Sequence, residues 1–496
     1  MLFNSFEFIF VFLPVVLVGF FLLANIRHSM AIAWLVAASL FFYAWWNPPY
    51  VGILVCTVLF NYACGIYIAR TKDARVKKLA LVLGLAFNLI LLGYFKYTNW
   101  FIDNLRVLTG FDLYVAPILL PLAISFHTFQ QIAYLVDVYR GEARKYVFLH
   151  YCLFVTFFPQ LIAGPIVLHH EMLPQFSRNA IFRFHSSDFA VGMTMFFMGL
   201  FKKVILADSI AKYPSAVFGA ADAGLTLTFF EAWGGALAYT FQLYFNFSGY
   251  SDMAIGLARM FGIRLPVNFN SPYQAANMID FWRRWHMTLS RFLRNYLYIP
   301  LGGNRQGSAR KYLNVLITML LAGLWHGAAW TFVVWGGLHG VFLVINNAWR
   351  SFQRRTGQDL STSTPLGRTL AWSLTFIAVV VAWVFFRAKS FDAAISILLS
   401  MSGLNGVSPT PNNNLANWSN GLTWLSIFAV IAWFAPNTQQ LMGRYRPVYQ
   451  TAFSEWRPIR ILWWRPTVAW ALVIALIAVF SITGLTKKSE FLYFQF

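Results

Sequence analysis

Apolar residues in this chain come in runs of about 20, and the polar breaks between runs are short. About 20 apolar residues are what a helix needs to cross a bilayer. No run shows the ten-residue alternation of a membrane barrel strand. The pattern predicts helical spans over residues 6–24, 30–46, 51–69 and 79–94, then over 191–206, 229–247, 253–261, 313–325, 329–345, 370–386, 422–433 and 467–482. A polar external segment is expected over 96–112.

Two runs are interrupted. Residues 115–138 contain Pro117, Pro121, His127, Gln130 and Gln131, and residues 148–168 contain FFPQLIAGP. Prolines and amides at membrane depth predict broken or re-entrant helices facing protein or a cavity. The reading is an all-α polytopic membrane protein with about 11 spans in a single membrane domain. The core motif region is 240–345, flanked by peripheral spans in 1–110 and 368–484. Shorter helices are expected between 245 and 310, a stretch too polar to span lipid and too aromatic for a solvated loop. Residues 350–368 read as a basic linker and 403–420 as a flexible external turn.

Composition sharpens this. Only 11% of residues are charged and 59% are hydrophobic, with mean hydropathy +0.58, where a soluble domain carries about 25% charged residues. The 51 Phe, 20 Trp and 22 Tyr fit aromatic belts at both interfaces. The net charge of +21 lies mostly in short loops, which is the positive-inside pattern and not a nucleic-acid surface. Anionic headgroups, or a phosphate-bearing cytosolic donor, suit it better. Arg27 and the loop with Arg70, Lys72, Arg75, Lys77 and Lys78 agree on one side, so the N-terminus is expected to face out. Arg140, Arg144 and Lys145 mark the cytoplasmic side again. The N-terminus has no basic n-region or small-residue cleavage site, so the first run is expected to remain a span. Cys56, Cys64 and Cys152 sit in apolar runs without CxxC spacing, which argues against disulfide or zinc chemistry. No internal repeat is visible, which weakens a secondary-transporter reading.

Candidate chemistry concentrates between residues 280 and 340, which hold His286, His326, His339 and a dense set of arginines. Taken as one helix over 280–298, this stretch puts Arg284, Arg291 and Arg294 on one side and His286, Leu289, Ser290 and Leu293 on the other. The arginines then meet headgroups, Asp280, Asp252 or a phosphate donor, and His286 turns inward. LGGNR at 301–305 reads first as a tight turn at a helix end and second as a phosphate cradle; Arg310 and Lys311 follow it. His326 lies in apolar sequence on both sides, where a neutral imidazole is poised to accept a proton. His339, in GLHG, reads equally well as a cavity group or a packing residue. His169, His170 and Glu171 look like a loop beside Pro174, and neither HExxH nor a helical histidine pair suggests a metal. NFSGYSD, with Ser248, Ser251 and Asp252, does not match a nucleophile elbow.

DFWRRWHMTLSRFLRNYLYIPLGGNR at 280–305 and LWHG at 324–327 resemble the membrane-bound O-acyltransferase family. Within it the sequence resembles the bacterial polysaccharide O-acetylation branch. FYAWW at 42–46, GYFKYTNW at 93–100, DVYRGE at 137–142, LIAGPI at 161–166 and QLYFNFSGYSDMAIGLARMFGI at 242–263 agree. The resemblance implies that His326 is the catalytic histidine and that His286 holds the family's second position. It implies a ring of spans around a thin centre, where a funnel or tunnel lets a cytosolic acyl donor meet an extracytoplasmic acceptor. His127, in SFHTF, departs from the Tyr common in relatives and becomes a cavity candidate with His339, Ser290 and Asp252. Arg284, Arg291, Arg305 and Lys311 are the candidates to hold donor phosphates.

The implied activity is O-acetyl transfer in a bacterial inner membrane. The donor is acetyl-CoA or another acyl thioester, with no permanently bound cofactor. A periplasmic acetyltransferase or acceptor protein is the implied partner. Alginate, cellulose and peptidoglycan are the candidate polymers, with D-alanylation of teichoic acid as a related alternative. A transporter or channel gated by intramembrane histidines, and a purely structural assembly subunit, are the rival classes.

Overall fold

The structure is a computed structural model that describes residues 1–111, 115–142, 147–357, 364–408, 418–449 and 462–485. Arg144, Lys145 and parts of the 350–368 linker and the 403–420 turn lie outside these residues. Every named element among the described residues is helical. Among the described residues, six helices are long and apolar enough to cross a membrane: Glu7–Ile26, Pro49–Arg70, Ala74–Thr109, Ser186–Ile210, Trp330–Arg355 and Pro365–Arg387. Four shorter apolar helices accompany them: His28–Ala44, Phe391–Met401, Gly421–Phe434 and Val468–Gly484. The chain divides into two compact units.

One unit comprises Met1–Leu200, Tyr250–Val267 and Thr438–Thr486. Its elements follow local rules. Proline sits in the first turn of Leu13–Ile26 and of Pro49–Arg70, where its missing N–H is harmless. The Asp73 side chain caps Ala74–Thr109 by accepting from Arg75 and Val76 N–H, and left-handed Gly110 ends that helix. With 36 residues it is about 54 Å long, well beyond the bilayer core. The external segment expected over 96–112 is therefore helical as far as Thr109. Amides hold neighbouring helices together: Asn61 and Asn88 exchange hydrogen bonds, and Asn61 also donates to Gln131 Oε1. Buried amides of this kind find each other because hydrocarbon offers them no partner. Both interrupted runs are interrupted in the structure. Pro117 and Pro121 precede the helix Ile124–Arg140, and residues 148–168 split into Phe148–Thr156 and Phe158–Leu161.

The other unit comprises, among the described residues, Phe201–Gly249 and Asn268–Asn437. Its core is aromatic, with Tyr239, Phe241, Tyr244, Trp285, Trp335, Trp383 and Phe386 in one buried cluster. The spans expected at 229–247 and 253–261 are one helix, Phe229–Met260. Ser248, Ser251 and Asp252, which suggested an interruption, are buried in protein and leave the helix backbone bonded.

Candidate functional site

His326 is the last residue of the helix Gly307–His326. The chain turns out at Gly327, which is extended (φ −162°, ψ 151°), and re-enters a helix at Trp330–Arg355. Gly327 is required by space, because a Cβ there would lie 2.1 Å from the Phe332 ring. The WHG sequence thus places a half-buried imidazole at a helix end rather than along a helix face. Its ring meets Trp325 at 4.8 Å, Trp335 at 4.9 Å and Phe386 at 5.1 Å between centroids.

His286 reaches the same cluster from another direction. Residues 280–298 are not one helix. Met278–Arg284 and Met287–Leu293 are separate helices, and a wider turn, Arg294–Tyr298, follows. Trp285 is extended, and His286 takes the left-handed region at φ 41°, ψ 53°. A non-glycine residue there costs roughly 1–2 kcal/mol, so the surroundings must hold it. Asn268–Asn270 does so. The Asn270 N–H donates to the Arg284 carbonyl, and the Met287 N–H to the Asn268 carbonyl, both at 3.0 Å. These bonds divert backbone groups on either side of His286, which is why the expected single arginine face is absent.

Asn268 is fully buried. Its Oδ1 lies 3.1 Å from His286 Nδ1, 3.0 Å from Thr288 Oγ1 and 3.4 Å from the Thr288 N–H nitrogen. The His286 ring stands edge-on to Phe247 at 4.8 Å and to Trp325 at 6.2 Å. Burial lowers its pKa to about 3, so the ring is neutral at ordinary pH. No sequence signal singled out Asn268; an asparagine in an aromatic loop looks like any turn residue.

His339 completes the row. It is fully buried in Trp330–Arg355, 4.9 Å from Trp335, and the Trp282 indole N–H donates to its Nδ1 at 3.3 Å. The three histidines are therefore linked by two tryptophans: Trp325 touches His286 and His326, and Trp335 touches His326 and His339.

The other candidates are placed differently. Arg284 Nε donates to both Asp280 carboxylate oxygens at 3.0 and 2.9 Å within one helix turn. Lys311 donates to Asn347 Oδ1 at 2.8 Å. Arg291 is half-buried and Arg305 exposed. LGGNR is a turn with left-handed Gly302 and Gly303, pinned by Asn314 donating to the Gly303 carbonyl at 3.0 Å. Ser290 Oγ donates to the Trp285 carbonyl at 3.4 Å.

Two candidates belong to the other compact unit. Asp252 accepts from Thr438 Oγ1 at 2.7 Å and Gln439 Nε2 at 2.6 Å. His127 is buried in Ile124–Arg140. That unit also corrects one expectation. His169, His170 and Glu171 open a helix, His169–Phe176, rather than a loop, and Glu171 accepts from the Leu168 N–H at 3.0 Å. The ligand atoms of Asp137, His169 and His170 lie within 4.8 Å of one another, a metal-like grouping that residue spacing could not show because two helices supply it. His169 Nε2 is already 2.9 Å from Asp137 Oδ2, and the Arg140 guanidinium, 3.9 Å from Oδ1, brings the positive charge a metal would supply.

Residues 63–386 match the family model described as MBOAT, membrane-bound O-acyltransferase family. The chain is 46% identical over 435 residues to a peptidoglycan O-acetyltransferase of Helicobacter pylori, covering 82% of this chain and 81% of the relative. It is 38% identical over 516 residues to a probable alginate O-acetylase AlgI of Pseudomonas putida, covering all of both chains. It is 26% identical over 281 residues to a teichoic acid D-alanyltransferase of Bacillus subtilis, covering 54% of this chain and 69% of the relative.

Proposed function

The chain belongs to the membrane-bound O-acyltransferase family and is a multi-pass membrane acyltransferase, and we propose that it moves an acetyl group from a cytosolic acyl thioester across the bacterial inner membrane. The acetyl group serves O-acetylation of an exported polysaccharide of the alginate or cellulose type, through a periplasmic partner that receives it. Acetyl-CoA is the simplest donor. About 11 crossings with a periplasmic N-terminus suit the basic loops.

The observation that carries this reading is the row of histidines and tryptophans centred on His326. A half-buried imidazole at a helix end, walled by Trp325, Trp335 and Phe386, is sheltered from bulk water yet reachable. In the transfer, an acceptor hydroxyl oxygen attacks the thioester carbonyl carbon. His326 takes the hydroxyl proton as the C–O bond forms and returns it to the sulfur as the C–S bond breaks. His286 orients a substrate or polarises the carbonyl. Arg291 and Arg305 hold the donor's phosphates, aided by Arg284 and Lys311 where these leave Asp280 and Asn347.

Proteoliposomes supplied with labelled acetyl thioester test the proposal. His326→Ala should abolish transfer while protein level and thermal unfolding stay unchanged. Normal acetylation by that variant overturns the assignment, and solute flux without transfer favours a transporter.

A further inference from the structure

We propose that Asn268 is the positioning residue that fixes the His286 proton on Nδ1, so that Nε2 meets substrate as a hydrogen-bond acceptor. The inference deepens the acyl-transfer reading and rests on it. It selects between the two roles left open for His286.

The Asn268 amide faces Thr288 with its oxygen. The Thr288 N–H belongs to the first turn of Met287–Leu293, where backbone N–H groups have no partner within the helix. A backbone N–H only donates, so the amide atom facing it is the oxygen. The Thr288 hydroxyl, at 3.0 Å from the same oxygen, donates as well. With Oδ1 fixed as an acceptor, His286 Nδ1 at 3.1 Å has to carry a hydrogen. A neutral imidazole holds one N–H, so Nε2 is left with its lone pair. Nε2 is buried and has no hydrogen-bond partner among the described residues. Of the rings beside it, Phe247 and Phe269 carry no donor, and the Trp325 indole makes no hydrogen bond to it.

A bare Nε2 cannot polarise a carbonyl oxygen, because it has no hydrogen to give. It can hold a hydroxyl by accepting its hydrogen bond. His286 therefore orients the attacking hydroxyl, and the negative charge developing on the thioester oxygen is stabilised from elsewhere. The backbone supports the same assignment. The Asn268 carbonyl accepts from the Met287 N–H at 3.0 Å, so one residue sets both the left-handed conformation of His286 and its tautomer.

The tautomer is read directly from nitrogen spectra of full-length, histidine-labelled protein in bilayers. The resonances missing in His286→Gln identify the residue. The wild type should show a protonated Nδ1 and a bare Nε2. Asn268→Asp should keep that tautomer, and Asn268→Ala should lose it. A wild-type proton on Nε2, or an unchanged tautomer in Asn268→Ala, overturns the proposal. Kinetics supply an independent arm. Asn268→Ala should lower kcat about tenfold or more with little change in KM. Asn268→Asp should recover much of that loss and move the acid limb of the pH profile upward, because a carboxylate favours the imidazolium. A twofold or smaller loss in Asn268→Ala, or an unmoved acid limb in an active Asn268→Asp, also overturns it. If the wild type transfers acetyl from no thioester, the acyl-transfer reading fails, while the spectra still decide the tautomer.

Discussion

Gly323 and Gly336 meet where the helix ending at His326 crosses the helix that follows it. A Cβ on Gly323 would lie 3.1 Å from the Gly336 Cα and 2.2 Å from the Phe332 carbonyl oxygen. A Cβ on Gly336 would lie 2.3 Å from the Met319 carbonyl oxygen. Backbone touches backbone here, as small residues allow between membrane helices. This crossing fixes where His326 points. Gly323→Ala should force the helices apart and destabilise the protein by about 1–3 kcal/mol, as overpacking does. Thermal unfolding in detergent measures the loss. Acyl transfer should fall by more than the unfolded fraction explains, because His326 moves with its helix. An unchanged unfolding midpoint would mean that the contact yields at no cost.

The Trp282 indole N–H donates to His339 Nδ1 at 3.3 Å in a fully buried setting. Nδ1 therefore accepts, and the neutral ring carries its hydrogen on Nε2. Trp282→Phe keeps an aromatic ring in place but strands the buried Nδ1. The expected cost is about 1–3 kcal/mol, the penalty of an unpaired buried acceptor. In a His339→Leu background the same change should cost clearly less. Equal losses in both backgrounds, read from unfolding midpoints, would show that the bond contributes nothing.

What the sequence revealed depended on how local the cause was. The run over 51–69 became Pro49–Arg70 because lipid burial requires only a count of apolar residues. The break at His286 was invisible because its cause lies 18 positions earlier, in the backbone and amide of Asn268. Periodicity places side chains around an axis that is assumed continuous, and no pattern in 280–298 reports a distant carbonyl. The opposite error occurred at NFSGYSD. Polar residues read as an interruption, yet Ser248, Ser251 and Asp252 are buried and the helix Phe229–Met260 runs through them. His326 is a candidate from its apolar context and from family likeness. Its aromatic walls, Trp335 and Phe386, come from two further helices and had no local signal.

Arg305, the last residue of LGGNR, is exposed. If it holds donor phosphates, its removal weakens donor binding without touching the chemistry. Arg305→Ala should raise KM for acetyl-CoA several-fold, roughly 3- to 10-fold, with kcat nearly unchanged. The effect should shrink as salt rises, because exposed charges are screened. Initial rates in proteoliposomes at two ionic strengths check this. An equal loss in kcat, or a salt-independent KM, would place Arg305 outside the donor site. Lys311 is the poorer test because it also donates to Asn347, which couples donor binding to helix packing.

Asp137, His169 and Arg140 tie two helices of the other compact unit together. Asp137 and His169 are both almost fully buried, so loss of the carboxylate removes the oxygen that His169 Nε2 meets at 2.9 Å and the negative charge beside Arg140. Removing the acceptor of a buried hydrogen bond costs about 1–3 kcal/mol, and Asp137→Ala should lower the unfolding midpoint accordingly. Asp137→Asn keeps an acceptor for His169 and should cost less. The same residues separate a structural tie from a metal site. Their ligand atoms lie within 4.8 Å of one another, but the Arg140 guanidinium stands 3.9 Å from the carboxylate and opposes a second cation. Added zinc should therefore leave the wild-type midpoint unchanged. A rise of several degrees that Asp137→Ala abolishes would instead make this a metal centre, with Arg140 displaced to admit the ion.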